Sequence, residues 1–264
     1  MVATIQLAGR RSPLDRVGGR RLCRDAGTGG QRHVRIVIVS DIHGNYDALS
    51  ALPEGYDKLW VLGDLVNYGP QPSEVIEEIR HRARIVVRGN HDHAVGFGVD
   101  PRCSAPYRAM ADATRQFSES VLTEAHKQFL RLLPAHFQTE VEGTRFYLCH
   151  AIPSDPLYGY CEPDSDKWVE EVERLKANVL LVGHTHLPFI RRVGACTIVN
   201  PGSLGQPKTG QPDACYAVWH DGRVELKSYS YPYENTITRI DNLPIPPEIR
   251  DDLTSVLRTG GSPG

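Results

Sequence analysis

Apolar positions in this chain fall into short β-branched runs separated by segments with helical spacing. Val34–Ser40 (VRIVIVS) has strand length, and it leads into Asp41-Ile42-His43-Gly44-Asn45 and a short helical pattern through Ala48, Leu49 and Leu52. A second apolar run, Lys58–Leu62, ends in Gly63-Asp64. Residues Ser73–Arg82 are predicted helical, with Ser73 as N-cap and Val75, Ile76 and Ile79 on one face. A third strand, Arg84–Arg88, runs into Gly89-Asn90-His91-Asp92, and a helical segment is predicted from about Pro106 to Leu133, with Phe129, Leu132 and Leu133 facing a core. Alternating runs at Arg145–Cys149, Asn178–Val182, Phe189–Val193, Cys196–Val199, Cys215–His220 and Val224–Ser230 predict a strand-rich second half. Strand, polar loop, helix, strand is the order in which open α/β sheets place ligands at the carboxyl ends of strands, so a single α/β sandwich is expected.

Composition narrows the function classes. The 264 residues carry 30 Lys+Arg against 32 Asp+Glu, a formal net charge of −2, with 40% hydrophobic and 23% charged residues. That is globular composition, and it lacks the basic excess of a general nucleic-acid or anionic-membrane binder. No apolar run approaches the roughly 18 residues that a membrane span needs. Six scattered cysteines with no CxxC pair point to reduced thiols and a cytoplasmic location. Residues 1–33 differ: seven Arg and two Asp interleaved with Gly predict a flexible extension, a candidate for weak nucleic-acid contact. Residues 34–242 then form the domain. Residues 243–264, with the Pro244-Ile245-Pro246-Pro247 linker and a Gly/Ser/Pro tail, are expected to be peripheral.

The polar residues that follow the strands form an ordered set: Asp41-x-His43, Gly63-Asp64, Gly89-Asn90-His91-Asp92, Cys149-His150 and Gly183-His184-Thr185-His186. Carboxylates, imidazoles and an amide oxygen together suit Mn²⁺, Fe or Zn²⁺ better than the all-oxygen cage of Ca²⁺. Strand alternation predicts that Asp41 and His43 share one side of an extended segment, as do His184 and His186. It also turns Cys149 away from His150, into the core.

This set, D-x-H, GD, GNH, H, GHxH, resembles the signature of the calcineurin-like metallophosphoesterases, and the resemblance spans Val34 to Ser230. GDLVNYGPQP (Gly63–Pro72) and NPGSLGQPK (Asn200–Lys208) resemble the small prokaryotic phosphodiesterase branch. The resemblance implies a four-layer α/β/β/α sandwich of two mixed sheets with a dinuclear site of Mn²⁺, Fe²⁺/Fe³⁺ or Zn²⁺. Asp41, His43 and His186 would hold one metal; Asn90, His150 and His184 the other; Asp64 would bridge them. A hydroxide on the metal pair would attack phosphorus, with His91 protonating or hydrogen-bonding the leaving alkoxide. Asn90 and His91 would contact the substrate, a small phosphoester or a nucleotide. Asn45 is a further substrate contact or, equally, the N-cap of the following helix.

The first motif departs from that of the serine/threonine phosphatases in the same superfamily, which read GDxVDRG. Asn67 stands where the second Asp would be, and Tyr68 where the phosphate-binding Arg would be. Tyr68 cannot clamp a phosphate dianion bidentately, which favours diesters over monoesters, and Asn67 offers His91 no carboxylate. The competing readings are a phosphomonoesterase, a nucleotide pyrophosphohydrolase, or a non-catalytic scaffold like the retromer subunit of this fold. Tyr158 and Tyr160 are candidate base-stacking residues, and Thr185 a support for its neighbouring histidines.

Overall fold

The computed structural model describes residues 33–53 and 55–261. The arginine-rich extension, His33 apart, lies outside them.

Two five-stranded mixed sheets pack face to face. In the first, β1 (Ile36–Val39), β2 (Lys58–Val61) and β3 (Ala83–Val86) run parallel, while β9 (Ala214–His220) and β10 (Arg223–Tyr229) add antiparallel strands beside β1, in the order β10-β9-β1-β2-β3. In the second, β4 (His136–Val141), β5 (Thr144–Cys149), β6 (Val179–Leu181), β7 (Phe189–Val193) and β8 (Cys196–Asn200) are ordered β4-β5-β6-β8-β7, with β5, β6 and β8 parallel.

Alternation along each strand divides the core into layers. Ile36 and Ile38 of β1 face the second sheet together with Trp60, Leu62, Phe146, Leu148, Leu181 and Trp219. Phe146 meets Trp60 and Trp219 edge-on, at centroid distances of 5.0 and 5.4 Å, and such pairs each contribute about 0.5–1.5 kcal/mol beyond area burial. Val37 and Val39 face the opposite way, onto α1 (Tyr46–Ser50) and α2 (Pro72–Arg82) through Leu49, Val75, Ile76 and Ile79. The outer face of the second sheet is covered by α6 (Lys167–Glu173), whose Trp168 packs on Tyr147, Cys149, Leu180 and Ile198. The result is the expected α/β/β/α sandwich.

Several local expectations are corrected. Ser73 lies inside α2 instead of capping it; Gln71 is the N-cap and Pro72 occupies the first turn, where its missing N–H is harmless. The helical stretch 106–133 is three pieces: a 3₁₀ turn at 105–107, α4 (Arg108–Val121) and α5 (Glu124–Leu132), broken where Thr123 caps α5 through His126 N. Beyond the strands, α7 (Tyr233–Asp241) and α8 (Pro247–Thr259) return to the body. The Pro-rich stretch thus leads into a packed helix: Ile249, Leu253 and Leu257 join Met110 of α4, Ile237 and Ile240 of α7, and Tyr68 in a fourth cluster. That cluster anchors Tyr68 beside the loops described next.

Candidate metal centre

The loops leaving β1, β2, β5 and β6, together with α3 (Asn90–Phe97) just past β3, meet at one end of the sandwich. The first two stay zipped beyond the strands: Asp41 N donates to Gly63 O (3.0 Å), His43 N to Asp64 O (2.9 Å) and Gly44 N to Leu65 O (2.8 Å). The alternation argument for Asp-x-His fails here. Asp41 and His43 are left-handed (φ 54° and 48°), and so are Asp64, Asn67, Tyr68, His184 and His186 (φ 56°, 69°, 60°, 67° and 63°). Left-handed geometry costs a non-glycine residue about 1–2 kcal/mol, and such strain gathers where surrounding contacts over-determine the backbone for function. Two glycines allow the loops to close. A Cβ on Gly89 would stand 2.0 Å from Asp64 Oδ1, and one on Gly183 would stand 2.0 Å from Ser40 Oγ and 2.8 Å from Asp41 Oδ2.

Five of the expected ligands converge in two groups, Asp41–His43–His186 and Asp41–Asp64–His150, with the ligand atoms of each group within 4.8 Å of one another. Their hydrogen bonds show what belongs between them. His43 Nδ1 lies 3.0 Å from Val66 O, and His186 Nδ1 lies 2.7 Å from Gln206 O. A carbonyl only accepts, so both Nδ1 atoms carry the proton and both Nε2 atoms present lone pairs. Those Nε2 atoms nevertheless face each other at 3.1 Å, and Asp41 Oδ1, which has no hydrogen-bond partner, is 3.3 Å from His186 Nε2. A proton can serve two of these three acceptors. A divalent cation serves all three.

In the second group a proton on His150 can stand in for the cation. His150 Nδ1 donates to Leu62 O (2.8 Å), while its Nε2 faces Asn90 Oδ1 at 3.0 Å and Asp64 Oδ2 at 3.2 Å. Asn90 Nδ2 donates to Pro101 O (2.8 Å), which settles the amide orientation and leaves Oδ1 pointing inward. Asp64 Oδ2 is also 3.8 Å from His43 Nε2, so it stands between the groups; Asp41 is the carboxylate both triads share. His184 enters neither triad: its ring packs edge-on against His150 at 5.1 Å and its backbone N donates to Asp41 Oδ2 (3.1 Å).

Electrostatics follow from burial and neighbours. Burial alone would raise both carboxyls, yet the imidazoles win: His186 and His150 hold Asp41, and His150 and His91 hold Asp64, below the usual carboxylate range. Burial outweighs the carboxylates at His43 and His184, both lowered to about 3, and at His91, lowered to about 4. At His150 burial is overcome by Asp64 and then Asp41, and the ring is raised to about 9.

His91 sits at the start of α3, where its N–H donates to Asp64 Oδ1 (2.9 Å). Asn67 Nδ2 lies 2.8 Å from His91 Nδ1, so the amide meets the imidazole where the phosphatase-type carboxylate would be. Tyr68 is buried, its ring 4.9 Å from that of His91 and 4.8 Å from that of His43. Asn45 caps α1. Oδ1 accepts from Ala48 N (3.1 Å) and Thr236 Oγ1 (3.1 Å), and both amide hydrogens are engaged by Gly205 O (3.0 Å) and Tyr231 Oη (2.8 Å). Cys149 is buried in the sheet–helix core, which pushes its thiol up. Thr185 Oγ1 accepts from Asn200 Nδ2 (3.1 Å), which also donates to Gly183 O (2.7 Å) and so ties down the histidine loop.

Two supports escaped sequence reasoning. Asp92 is buried and accepts from Asp64 N (2.8 Å), Leu65 N (2.8 Å) and Gly89 N (3.0 Å), locking the β2 loop to α3. Burial and the Asp64 charge raise it to about 7 against those donors. Its signal was present: an acidic residue three positions after Gly89 stands at N3 of the helix, where its carboxylate can reach back to the N-cap N–H. The Pro101–Cys103 segment, with Cys103 Sγ 3.3 Å from His91 Nε2 and 3.5 Å from Tyr68 Oη, has no such signal.

A two-sheet sandwich with adjoining clusters of buried carboxylates and imidazoles at its strand ends has the architecture of a metallophosphoesterase. Residues 34–221 match the calcineurin-like phosphoesterase superfamily domain, and the chain belongs to that superfamily. It is similar to protein MJ0912 of Methanocaldococcus jannaschii, 29% identical over 228 residues that cover 78% of this chain and 91% of the relative. Phosphodiesterase YfcE of Escherichia coli K12 is 28% identical over 196 residues, 68% of this chain and 84% of its own. The crystal structure of a metallophosphoesterase from Sphaerobacter thermophilus matches with a TM-score of 0.73 at 27% identity, covering 85% of this chain and 99% of that one. Among the described residues no helix is long and apolar enough to cross a membrane.

Proposed function

We propose that this protein is a metal-dependent phosphodiesterase acting on a small phosphodiester or a nucleotide. The observation that carries the reading is the pair of adjoining ligand clusters, the first of which brings three acceptors together so that only a cation satisfies them all. Asp41, His43 and His186 would hold one divalent cation and Asn90 and His150 the other, with Asp64 between them and His184, its ring 5.1 Å from that of His150, completing the second set. When bound, two such cations clamp phosphoryl oxygens and make water acidic enough to supply a nucleophile near neutral pH. The mixed N/O donor set suits Mn²⁺, Fe or Zn²⁺.

The chain's own residues divide the remaining work. Asp64 Oδ1 holds the His91 backbone, and Asn67 holds its Nδ1. As placed, the Asn67 amide donates to Nδ1 and leaves the proton on Nε2, directed away from Asn67. Asn90 and His91 are consecutive, so one α-helical start presents an amide and an imidazole to the phosphate together. Buried Tyr68 replaces the guanidinium that would neutralise a monoester dianion, and YfcE, which aligns with 68% of this chain, is named a phosphodiesterase.

The reading is tested by loading the metal-stripped protein with Mn²⁺ and comparing bis(p-nitrophenyl) phosphate with p-nitrophenyl phosphate. The diester should be turned over with the higher kcat/KM; a strong monoester preference would contradict the argument from Tyr68.

Metal uptake should also release protons. His150, raised to about 9, is protonated at pH 7 in the metal-free protein, and an imidazolium has no lone pair to offer. Binding therefore expels about one proton, and apparent affinity should rise about tenfold per pH unit up to about pH 9, then level off. Calorimetry in two buffers of different ionisation enthalpy reads this directly, and identical heats in both would rule it out.

A further inference from the structure

The catalytic loops carry no arginine at the position of Tyr68, yet an arginine is held at their edge by another route. Pro101 O accepts from Asn90 Nδ2 at 2.8 Å, and Cys103 Sγ lies 3.3 Å from His91 Nε2. The residue between them, Arg102, is thereby fixed beside the two groups that would meet the scissile phosphate. Its backbone is left-handed (φ 58°), with its N–H donating to Asp100 Oδ1 at 2.6 Å. A turn of this kind is made most cheaply by glycine or asparagine. Here it carries a long cation.

The side chain is exposed, and its guanidinium carbon sits 4.4 Å from the centroid of the Tyr158 ring. A guanidinium stacked by its face keeps its N–H edge for a ligand. Tyr158 in turn meets His93 edge-on at 6.3 Å, two residues along α3 from His91, and His93 lies 4.6 Å from Phe97. A second cation, Arg88, packs 5.3 Å from the Phe97 ring, and Arg88 and Arg102 both act on His93, whose pKa burial and these charges lower. On another side of the site, exposed Tyr160 stands 6.4 Å from the His184 ring. Cations alternating with aromatic faces are the chemistry that recognises nucleotides, phosphate by guanidinium and base by stacking.

We propose that Arg102, braced on Tyr158, is a specificity-determining residue that binds a second phosphate of a nucleotide substrate, beyond the phosphodiester that is cleaved. The inference rests on the phosphodiesterase reading and deepens it. Because Arg102 is outside the acceptor clusters, its loss leaves the cation sites intact and weakens only substrates that carry the extra anion.

Two chromogenic probes differ by that group alone: thymidine 5′-(p-nitrophenyl phosphate) and the same diester bearing a 3′-phosphate. In the Mn²⁺-loaded protein, Arg102→Ala should raise KM for the 3′-phosphorylated probe about tenfold or more. KM and kcat on the unphosphorylated probe should stay within about twofold. Arg102→Lys, which keeps charge but loses the planar fork, should fall between, and Tyr158→Leu should weaken the same probe selectively. Equal losses on both probes would make the segment a mere brace for Asn90 and His91 and overturn the proposal, as would no loss on either. Failure of the wild-type protein to cleave any diester would count against the phosphodiesterase reading instead. Arg102 is then judged by calorimetric binding of thymidine 3′,5′-bisphosphate, which Arg102→Ala should weaken about tenfold; unchanged binding would overturn the proposal on that route too.

Discussion

Asp64→Ala is expected to lower kcat/KM on bis(p-nitrophenyl) phosphate by about 10³-fold, with the metal content of the purified protein falling alongside. The magnitude follows from what the carboxylate touches. Oδ2 is 3.2 Å from His150 Nε2 and 3.8 Å from His43 Nε2, while Oδ1 holds the His91 backbone N–H at 2.9 Å. Removing one preorganised electrostatic group from a reacting centre costs about 10²–10³ in rate, and here the same carboxylate also helps to hold the cations. Without Asp64, burial of His150 is opposed mainly by Asp41, so the ring loses much of the charge stabilisation that sets it near 9. Asp64→Asn keeps the shape and the hydrogen bond to His91 N but not the charge, and should lie closer to Ala than to wild type. Steady-state rates over a metal titration, paired with elemental analysis and a circular-dichroism melt, separate lost binding from lost fold. Undiminished turnover in Asp64→Ala would sink the bridging assignment.

The parts of this architecture that sequence made legible are those set by local pattern. The β-branched run VRIVIVS is β1, and its alternation sends Ile36 and Ile38 to one layer and Val37 and Val39 to another. Polar residues directly after such runs had to lie at one end of parallel strands, so Asp41, Asp64, Asn90, His150 and His186 were readable as a group. What local pattern could not supply is the backbone beyond each strand. Period-two reasoning placed Asp41 and His43 on one side for a reason that does not operate, since both are left-handed and aimed by bonds to the β2 loop. The side-chain convergence is set by tertiary contacts that no dipeptide spacing encodes.

Contacts distant in sequence were equally invisible. Besides capping α1, Asn45 is held by Tyr231 and Thr236, on the far end of the chain. Helix α8 begins right after Pro246, and prolines there read as a linker although Pro at a first helical turn is also a start signal. Its value lies in what it covers: Leu253 and Leu257 pack in the cluster that fixes Tyr68 beside His43 and His91. Asp92 was printed in the motif GNHD, but its three bonds to backbone N–H groups, two of them from the β2 loop, appear only once that loop and α3 are brought together.

His91→Ala should separate substrates by leaving group. For a diester with an alkyl or nucleoside leaving group the loss is expected at about 10²–10⁴-fold, the range for removing a positioned acid–base group. For a p-nitrophenyl diester, whose leaving phenolate is a weak base, the loss should be about tenfold, the residue of a lost hydrogen bond to phosphate. The reason lies in the ring's surroundings. Burial lowers His91 to about 4, so at neutral pH it is a neutral donor with Asn67 on Nδ1, able to hydrogen-bond a departing oxygen but poor at delivering a full charge. Asn67→Asp tests that statement from the other side. A carboxylate in place of the amide, 2.8 Å from Nδ1, stabilises the imidazolium and should raise the His91 pKa by about 1–3 units. A group protonated only below about 4 would then stay protonated closer to neutrality, extending the acid-catalysed limb of the pH–rate profile to higher pH for alkyl leaving groups while barely moving it for p-nitrophenyl. Equal losses on both leaving groups in His91→Ala, or an Asn67→Asp profile unshifted with alkyl esters, would remove His91 from leaving-group chemistry and leave it a support for Asp64.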